Sequence, residues 1–295
     1  MVEVVGARPQ QRPLGLRSTI VNACLRDGAG GSPTAVMLEP RLNEPERRSL
    51  PGELGTSHVV FVAIEDDGRV SLRFFTAQGE LPACGHGTVA ALAFLAEHAG
   101  EREYEATLNT AAGSLAGRAF RSDHGGLSAS FDVSGVERRA PTTREHAIVL
   151  AALGALPESI GAGGCVASPG RPRLLLPIST RSALMALRPD YARLAEACAQ
   201  LDLLGCYVYT EPGREARIAA RMFAPAVGVP EDIANANSTA CLAAHLARSG
   251  RPVITVDMGD ALGTPATITA TVLTTAAGTR IRVGGHAAVA RTVHR

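Results

Sequence analysis

The chain has 295 residues, 46% of them hydrophobic and 19% charged, with a formal net charge of +1; it can bury a core, and its near-neutral balance argues against a nucleic-acid or acidic-membrane partner. All 29 basic residues are arginine, which excludes a Schiff-base lysine, with it pyridoxal phosphate chemistry, and a P-loop lysine. None of the six cysteines forms a C-x-x-C pair, and no apolar stretch reaches membrane-spanning length; reduced, mostly buried thiols in a soluble cytoplasmic protein are expected.

In chain order, Met1 to Leu14 is polar and has no signal-type apolar region. A first strand is expected over Leu16–Cys24, a glycine-rich turn over Asp27–Ser32 and a second strand over Thr34–Leu38. Asn43–Leu54 predicts a short helix capped by Asn43 and interrupted by Pro51. Val59–Ile64 is an apolar strand that turns at Asp66-Asp67-Gly68 into an alternating one, with Val70, Leu72 and Phe74 on one face. That strand enters a Gly- and Pro-rich turn, Gln78-Gly79-Glu80-Leu81-Pro82-Ala83, after which Cys84-Gly85-His86-Gly87-Thr88 opens an apolar helix closed by Gly100. Unpaired N–H groups at such a helix start attract anions, and Cys84 and His86 border that place.

A strand beginning at Tyr104, then Thr107–Thr110, Ser114–Phe120 and Leu127–Val133, complete a first sheet. Ser134–Thr143 reads as the linker, and His146–Leu156 and Asp190–Leu203 as helices, the second amphipathic. Arg173–Ile178, Cys206–Thr210, Ala216–Phe223, Val253–Val256, Ala266–Leu273 and Arg280–Val283 read as strands.

The central pattern returns. Arg221-Met222-Phe223-Ala224-Pro225 repeats Arg73-Phe74-Phe75-Thr76-Ala77. A loop with Glu231-Asp232 and a small-residue turn, Asn235-Ala236-Asn237-Ser238-Thr239, lead into a helix whose Leu242-Ala243-Ala244-His245-Leu246-Ala247 echoes Leu92-Ala93-Phe94-Leu95-Ala96. A single repeat of this length means two similar halves and not a solenoid, which needs at least three units. The halves are read as 1–134 and 135–295, with the last strand free to return to the first. Each is an α+β unit, a curled sheet or barrel around one long helix, and two helix N-termini then share one cleft.

These residues carry a resemblance to the PhzF-like family of phenazine-biosynthesis isomerases, which shares a duplicated fold with diaminopimelate epimerase. Beside the Cys84-Gly85-His86 and Arg221-Met222-Phe223-Ala224-Pro225 stretches, Gly31-Ser32-Pro33-Thr34-Ala35-Val36 is similar to the family's G-N-P-x-x-V. Ser57-His58-Val59-Val60-Phe61-Val62 falls where it has S-E-T-x-F-V, and Ile281-Arg282-Val283-Gly284-Gly285 resembles its closing V-x-V-G-G. The pieces occur in order over nearly the whole chain.

The resemblance implies a catalytic set of His58, Asp232 and His86. His58 stands where the family has a glutamate that moves a proton between carbons; a neutral imidazole with a reference pKa near 6.5 is a competent base. A replaced base, a changed reaction and a lost activity remain open there. Asp232 matches the aspartate that faces the base. Ser57, Cys84, Gly85, Asn237 and Ser238 are the expected substrate-binding residues, with Asn237 where the family has a binding serine. Glu80 is read as structural. A two-thiol racemase is disfavoured, because the second cysteine position falls on Asn235. A lone C-x-H is too little for zinc, so neither metal nor cofactor is expected.

Moving a double bond in a small acid needs one group to remove a proton from carbon and one to return it. It also needs fixed dipoles on the carboxylate or developing enolate, and two helix N-termini provide them. The expectation is a cofactor-independent isomerase of an unsaturated carboxylate in specialised-metabolite (antibiotic) biosynthesis, with the 4-alkyl-proline branch as one candidate and a homodimer as the family's usual state. A non-catalytic binding protein that lost the glutamate, or an amino-acid racemase or epimerase, is the alternative.

Overall fold

The computed structural model describes residues 15–123, 125–213, 217–276 and 278–294. In the first half the elements are β1 (Arg17–Leu25), β2 (Ser32–Leu38), α1 (Glu44–Leu54), β3 (His58–Ile64), β4 (Val70–Thr76), β5 (Gly79–Leu81), α2 (Gly85–Ala99), β6 (Glu103–Thr110), β7 (Gly113–Arg121) and β8 (Leu127–Ser134). There follow β9 (Glu137–Arg139), α3 (Thr143–Leu153), β10 (Cys165–Ser168), β11 (Arg173–Ile178), α4 (Arg181–Ala186), α5 (Tyr191–Gln200), β12 (Cys206–Thr210) and β13 (Arg217–Ala224). The chain continues through β14 (Val229–Asp232), α6 (Ala236–Leu246), β15 (Val253–Met258), β16 (Ala266–Thr275) and β17 (Gly278–His294).

The pairing partners of the first half close a ring. β1 pairs with β2, β2 with β3, β3 with β4, β4 with β6, β6 with β7 and β7 with β8. β17 fills the gap between β8 and β1. α2 runs through this ring and packs on all eight of its strands. Its sequence explains the placement: from Gly85 to Ala96 every residue but Phe94 is buried, and a helix that is apolar all round belongs inside a core. Small residues let the wall approach. A Cβ on Gly117 of β7 would lie 2.7 Å from Leu92 Cδ2.

The second half curls without closing. β9, β10, β11, β12, β13, β15 and β16 pair in succession, and β16 then pairs with β17. Among the described residues no pairing joins β9 back to β17. α6 lies inside against β10, β15, β16 and β17. Both halves thus wrap a helix, the duplicated diaminopimelate-epimerase-like architecture. Outside the first ring, Leu50 and Leu54 of α1 cover Phe61 and Phe75, while Phe74, one residue earlier, points into the main core. α3, α4 and α5 cover the outer face of β11, β12 and β13. Among the described residues no helix is long and apolar enough to cross a membrane.

Several expectations need correction. Pro51 does not interrupt α1, which runs on to Leu54, because Pro51 sits one turn from the end and Gly55 closes the helix in the left-handed conformation. Asn43 caps α1 in a capping box with Glu46. The helix expected at His146–Leu156 starts earlier, at Thr143, because Thr142 and Glu145 form a second capping box. The linker Ser134–Thr143 contains the short strand β9. The strand expected at Arg280–Val283 is 17 residues long. The strand expected from Ala216 is described from Arg217 on; Ala216 and residues 1–14 lie outside the described residues.

Candidate active site

His58 is the first residue of β3, beside Thr34 of the parallel β2, and is 3% exposed. Its Nδ1 lies 2.9 Å from Ser57 Oγ, which leaves the other ring nitrogen for the cleft. His86 sits in the first turn of α2 between two glycines. Its Nδ1 lies 2.9 Å from the Ala234 carbonyl oxygen; a carbonyl only accepts, so Nδ1 carries the proton. The two imidazoles meet edge to face, with centroids 4.4 Å apart at 86°. His86 Nε2 is 3.5 Å from Cys84 Sγ.

The second half supplies a carboxylate. Asp232 ends β14, and its Oδ1 lies 3.7 Å from His86 Nδ1. Asp232 Oδ2 accepts from Asn235 Nδ2 at 2.9 Å, and Oδ1 from the Ala234 N–H at 3.3 Å. Asn235 caps α6, accepting the Ser238 N–H on Oδ1 at 2.9 Å. One side chain therefore anchors a helix start and a site carboxylate together. α2 differs: its cap residue, Cys84, makes no capping hydrogen bond. The two helix starts touch at Gly85, where a Cβ would fall 2.7 Å from Ala236 Cβ and 3.0 Å from Asn237 N. Only glycine permits that approach.

Burial, and secondarily the charge of His86, hold His58 well below its ordinary pKa, so it is neutral at physiological pH. His86 behaves oppositely. Burial alone lowers it, but the charges of Cys84 and Asp232 and the hydrogen bond to Ala234 raise it to about 10. An expected base near pKa 6.5 is thereby corrected downward, because the closed ring desolvates His58. Cys24, whose thiol is raised chiefly by burial and then by the charges of Asp232 and Cys84, stays protonated.

These groups border a cavity of about 830 Å³. His58, Cys84, Gly85, His86, Asp232 and Asn237 all line it, so the structure brings six of the eight expected site residues together. Ser57 stands behind His58. Ser238 is fully buried, with its hydroxyl toward Arg173 and Met222. Sequence reasoning treated Asn235 only as a missing thiol, although Asn235-x-x-Ser238 before an apolar run is a cap signal. It passed over Arg173, a charge on the inward face of an apolar strand. Among the described residues, His58, Cys84 and His86 are also the group able to hold a metal, with ligand atoms within 4.8 Å of one another. The sequence argument against zinc counted only two of them.

The sequence pattern of the family described as Phenazine biosynthesis-like protein (PhzC-PhzF) matches residues 21–293. An uncharacterized isomerase of Deinococcus radiodurans is 33% identical over 277 residues, covering 90% of this chain and 89% of that protein. A trans-2,3-dihydro-3-hydroxyanthranilate isomerase of Pseudomonas aeruginosa is 30% identical over 239 residues, 79% of this chain and 80% of its own. The crystal structure of a Bacillus anthracis phenazine biosynthesis protein of the PhzF family superposes with a TM-score of 0.82 at 16% identity, over 95% of this chain and 99% of that one. That last likeness concerns the fold.

Proposed function

We infer the reaction from one premise: the chain belongs to the phenazine biosynthesis-like (PhzC-PhzF) family and is an isomerase. Its reaction is the shift of a double bond by proton transfer in a small unsaturated carboxylic acid of specialised metabolism, without a cofactor. The observation that carries this reading is the pair of touching imidazoles whose surroundings push them apart. His58, kept neutral by burial, takes the proton from carbon. His86, kept protonated beside Asp232, donates to or stabilises the developing enolate. Pairs of titratable groups driven in opposite directions identify base and acid. Asp232 holds the charge balance of His86, and the uncapped amides of α2 face the oxyanion. The 4-alkyl-proline branch is the finer candidate, motivated by the histidine in place of the family glutamate.

The test uses trans-2,3-dihydro-3-hydroxyanthranilate in deuterated water, with NMR following the label. Wild type is expected to convert the acid and label the reprotonated carbon, unless the base passes the same proton across without exchange. His58→Ala is expected to lose roughly two to four orders of magnitude in rate, and His58→Glu to recover part of it. Unchanged turnover by His58→Ala would sink the role of His58.

A further inference from the structure

Arg173 opens β11 on the face toward α6. Leu175, two positions on, belongs to the core that holds α6, whereas Leu174 and Leu176 lie in the outer core under α3 to α5. Arg173 is 2% exposed and lines the cleft with Asn237 and Asp232. A guanidinium has five N–H donors. Here Nη2 donates to the Arg171 carbonyl at 2.8 Å and Nη1 to Ser238 Oγ at 3.5 Å, while Nε is buried with no partner. No carboxylate among the described residues pairs with it. The contrast is Arg221, equally deep, which meets Glu231 with two bonds of 2.9 and 2.7 Å.

None of the three carboxylates that line the cleft pairs with Arg173: Asp202 is exposed in the turn after α5, and the other two are engaged elsewhere. Asp132 pairs with Arg280 and Arg282, and Asp232 with Asn235 and His86. Arg173 also stands beside Ser238 in the first turn of α6, where the helix dipole is positive, and beside Arg171. A desolvated cation among like charges is costly and cannot relieve itself by losing its proton. A planar carboxylate supplies what is missing, two acceptors matched to the guanidinium fork.

We propose that Arg173 is the anion-binding residue of the cleft and takes the substrate carboxylate through the donors it does not use on protein. This rests on reading the cleft as the site of a small-acid isomerase, and it names the side chain that selects the acid. The acid is then held from the second half, and the reacting carbons face His58 and His86 in the first.

The test is thermal unfolding of the full chain at pH 7.5 and fixed ionic strength, titrated with anthranilate, with benzoate, and with aniline as the uncharged control. Wild type is expected to show a saturable rise in midpoint with the carboxylates and none with aniline. Arg173→Gln should weaken carboxylate binding roughly 10- to 100-fold, the worth of a charge-assisted hydrogen bond, and Arg173→Lys should fall between. Equal shifts with aniline, no saturable shift with either carboxylate, or wild-type affinity in Arg173→Gln overturns the proposal. If Arg173→Gln does not fold, Arg173→Lys decides, and undiminished affinity there counts against the guanidinium. Binding is read without turnover, so a failed proton transfer at His58 leaves this result standing, and failure here leaves the deuterium test untouched.

Discussion

The two central helices begin in opposite ways. α2 starts at Cys84 with no side chain on its free amides and lies inside a closed ring of strands. α6 starts at Asn235, whose amide caps the helix and grips Asp232, and lies in an open sheet backed by three further helices. Duplication supplied two equivalent frames, and the chemistry was then divided between them. On the reading proposed above, the first half holds the groups that exchange protons, the two imidazoles. The second holds the groups that fix charge, a carboxylate, an amide and a buried guanidinium. An uncapped helix start keeps its N–H donors for a ligand, whereas a capped one gives them to the protein and gains rigidity.

The sharpest way to break this division is at the acid that crosses it. Asp232→Asn is expected to abolish turnover with the fold intact, since a neutral amide cannot balance the charge of His86; circular dichroism beside a rate measurement checks both halves of the claim. The pH profile follows from the opposed imidazoles. The rate should hold down through pH 6.5 and fall only below it, where His58 takes a proton, and should fall again toward pH 10 as His86 loses one. A profile that falls already at pH 7 on the acid side would assign the base to another group. In a variant where Asp232 keeps residual activity, the alkaline limb should move to lower pH.

Smaller effects sharpen the contact between the halves. Gly85→Ala places a methyl against Ala236 and the Asn237 backbone and is expected to cost about 1–3 kcal/mol of stability, the usual range for overpacking, together with activity, as denaturant unfolding and rates will report. Asn235→Ala is expected to cost about 0.5–2 kcal/mol through the lost cap and to reduce turnover beyond that, because Asp232 loses its anchor. The matching change at Cys84→Ala should cost no capping energy at all.

Much of this was legible in the sequence because it is local. The repeat around Phe74 and Phe223, the all-round apolar run of α2 and the Asn43 cap each sit within a few residues. What was missed is set by closure. β9, β10 and β14 are three or four residues long, too short to show a period. β17 looked finished at Gly284-Gly285, since a glycine pair normally ends a strand; here both glycines are squeezed between neighbours, and a Cβ on Gly284 would lie 2.1 Å from the Ala129 carbonyl oxygen. His58 was placed correctly at a strand mouth, yet its contact with His86 and its lowered pKa arise only when the ring folds around it. Arg173 carried no local motif, and only its burial without a carboxylate distinguishes it.

The long last strand makes the order of folding unusual. β17 pairs with β16 through Gly284 and with β8 over Arg280–Ala287, then with β1, where Arg17 meets His294. Seven of the eight staves of the first ring therefore leave the ribosome long before the eighth, and α2 has no complete wall until the second half has been made. Contacts between such distant segments slow folding, because the loop must be closed before the pairing returns any energy. During synthesis β1 and β8 present open edges, which are templates for wrong pairing. Chain growth arrested before Gly278 should yield an aggregating product, not a folded first half, and the two halves expressed as separate chains should become soluble only when the piece carrying β17 is present.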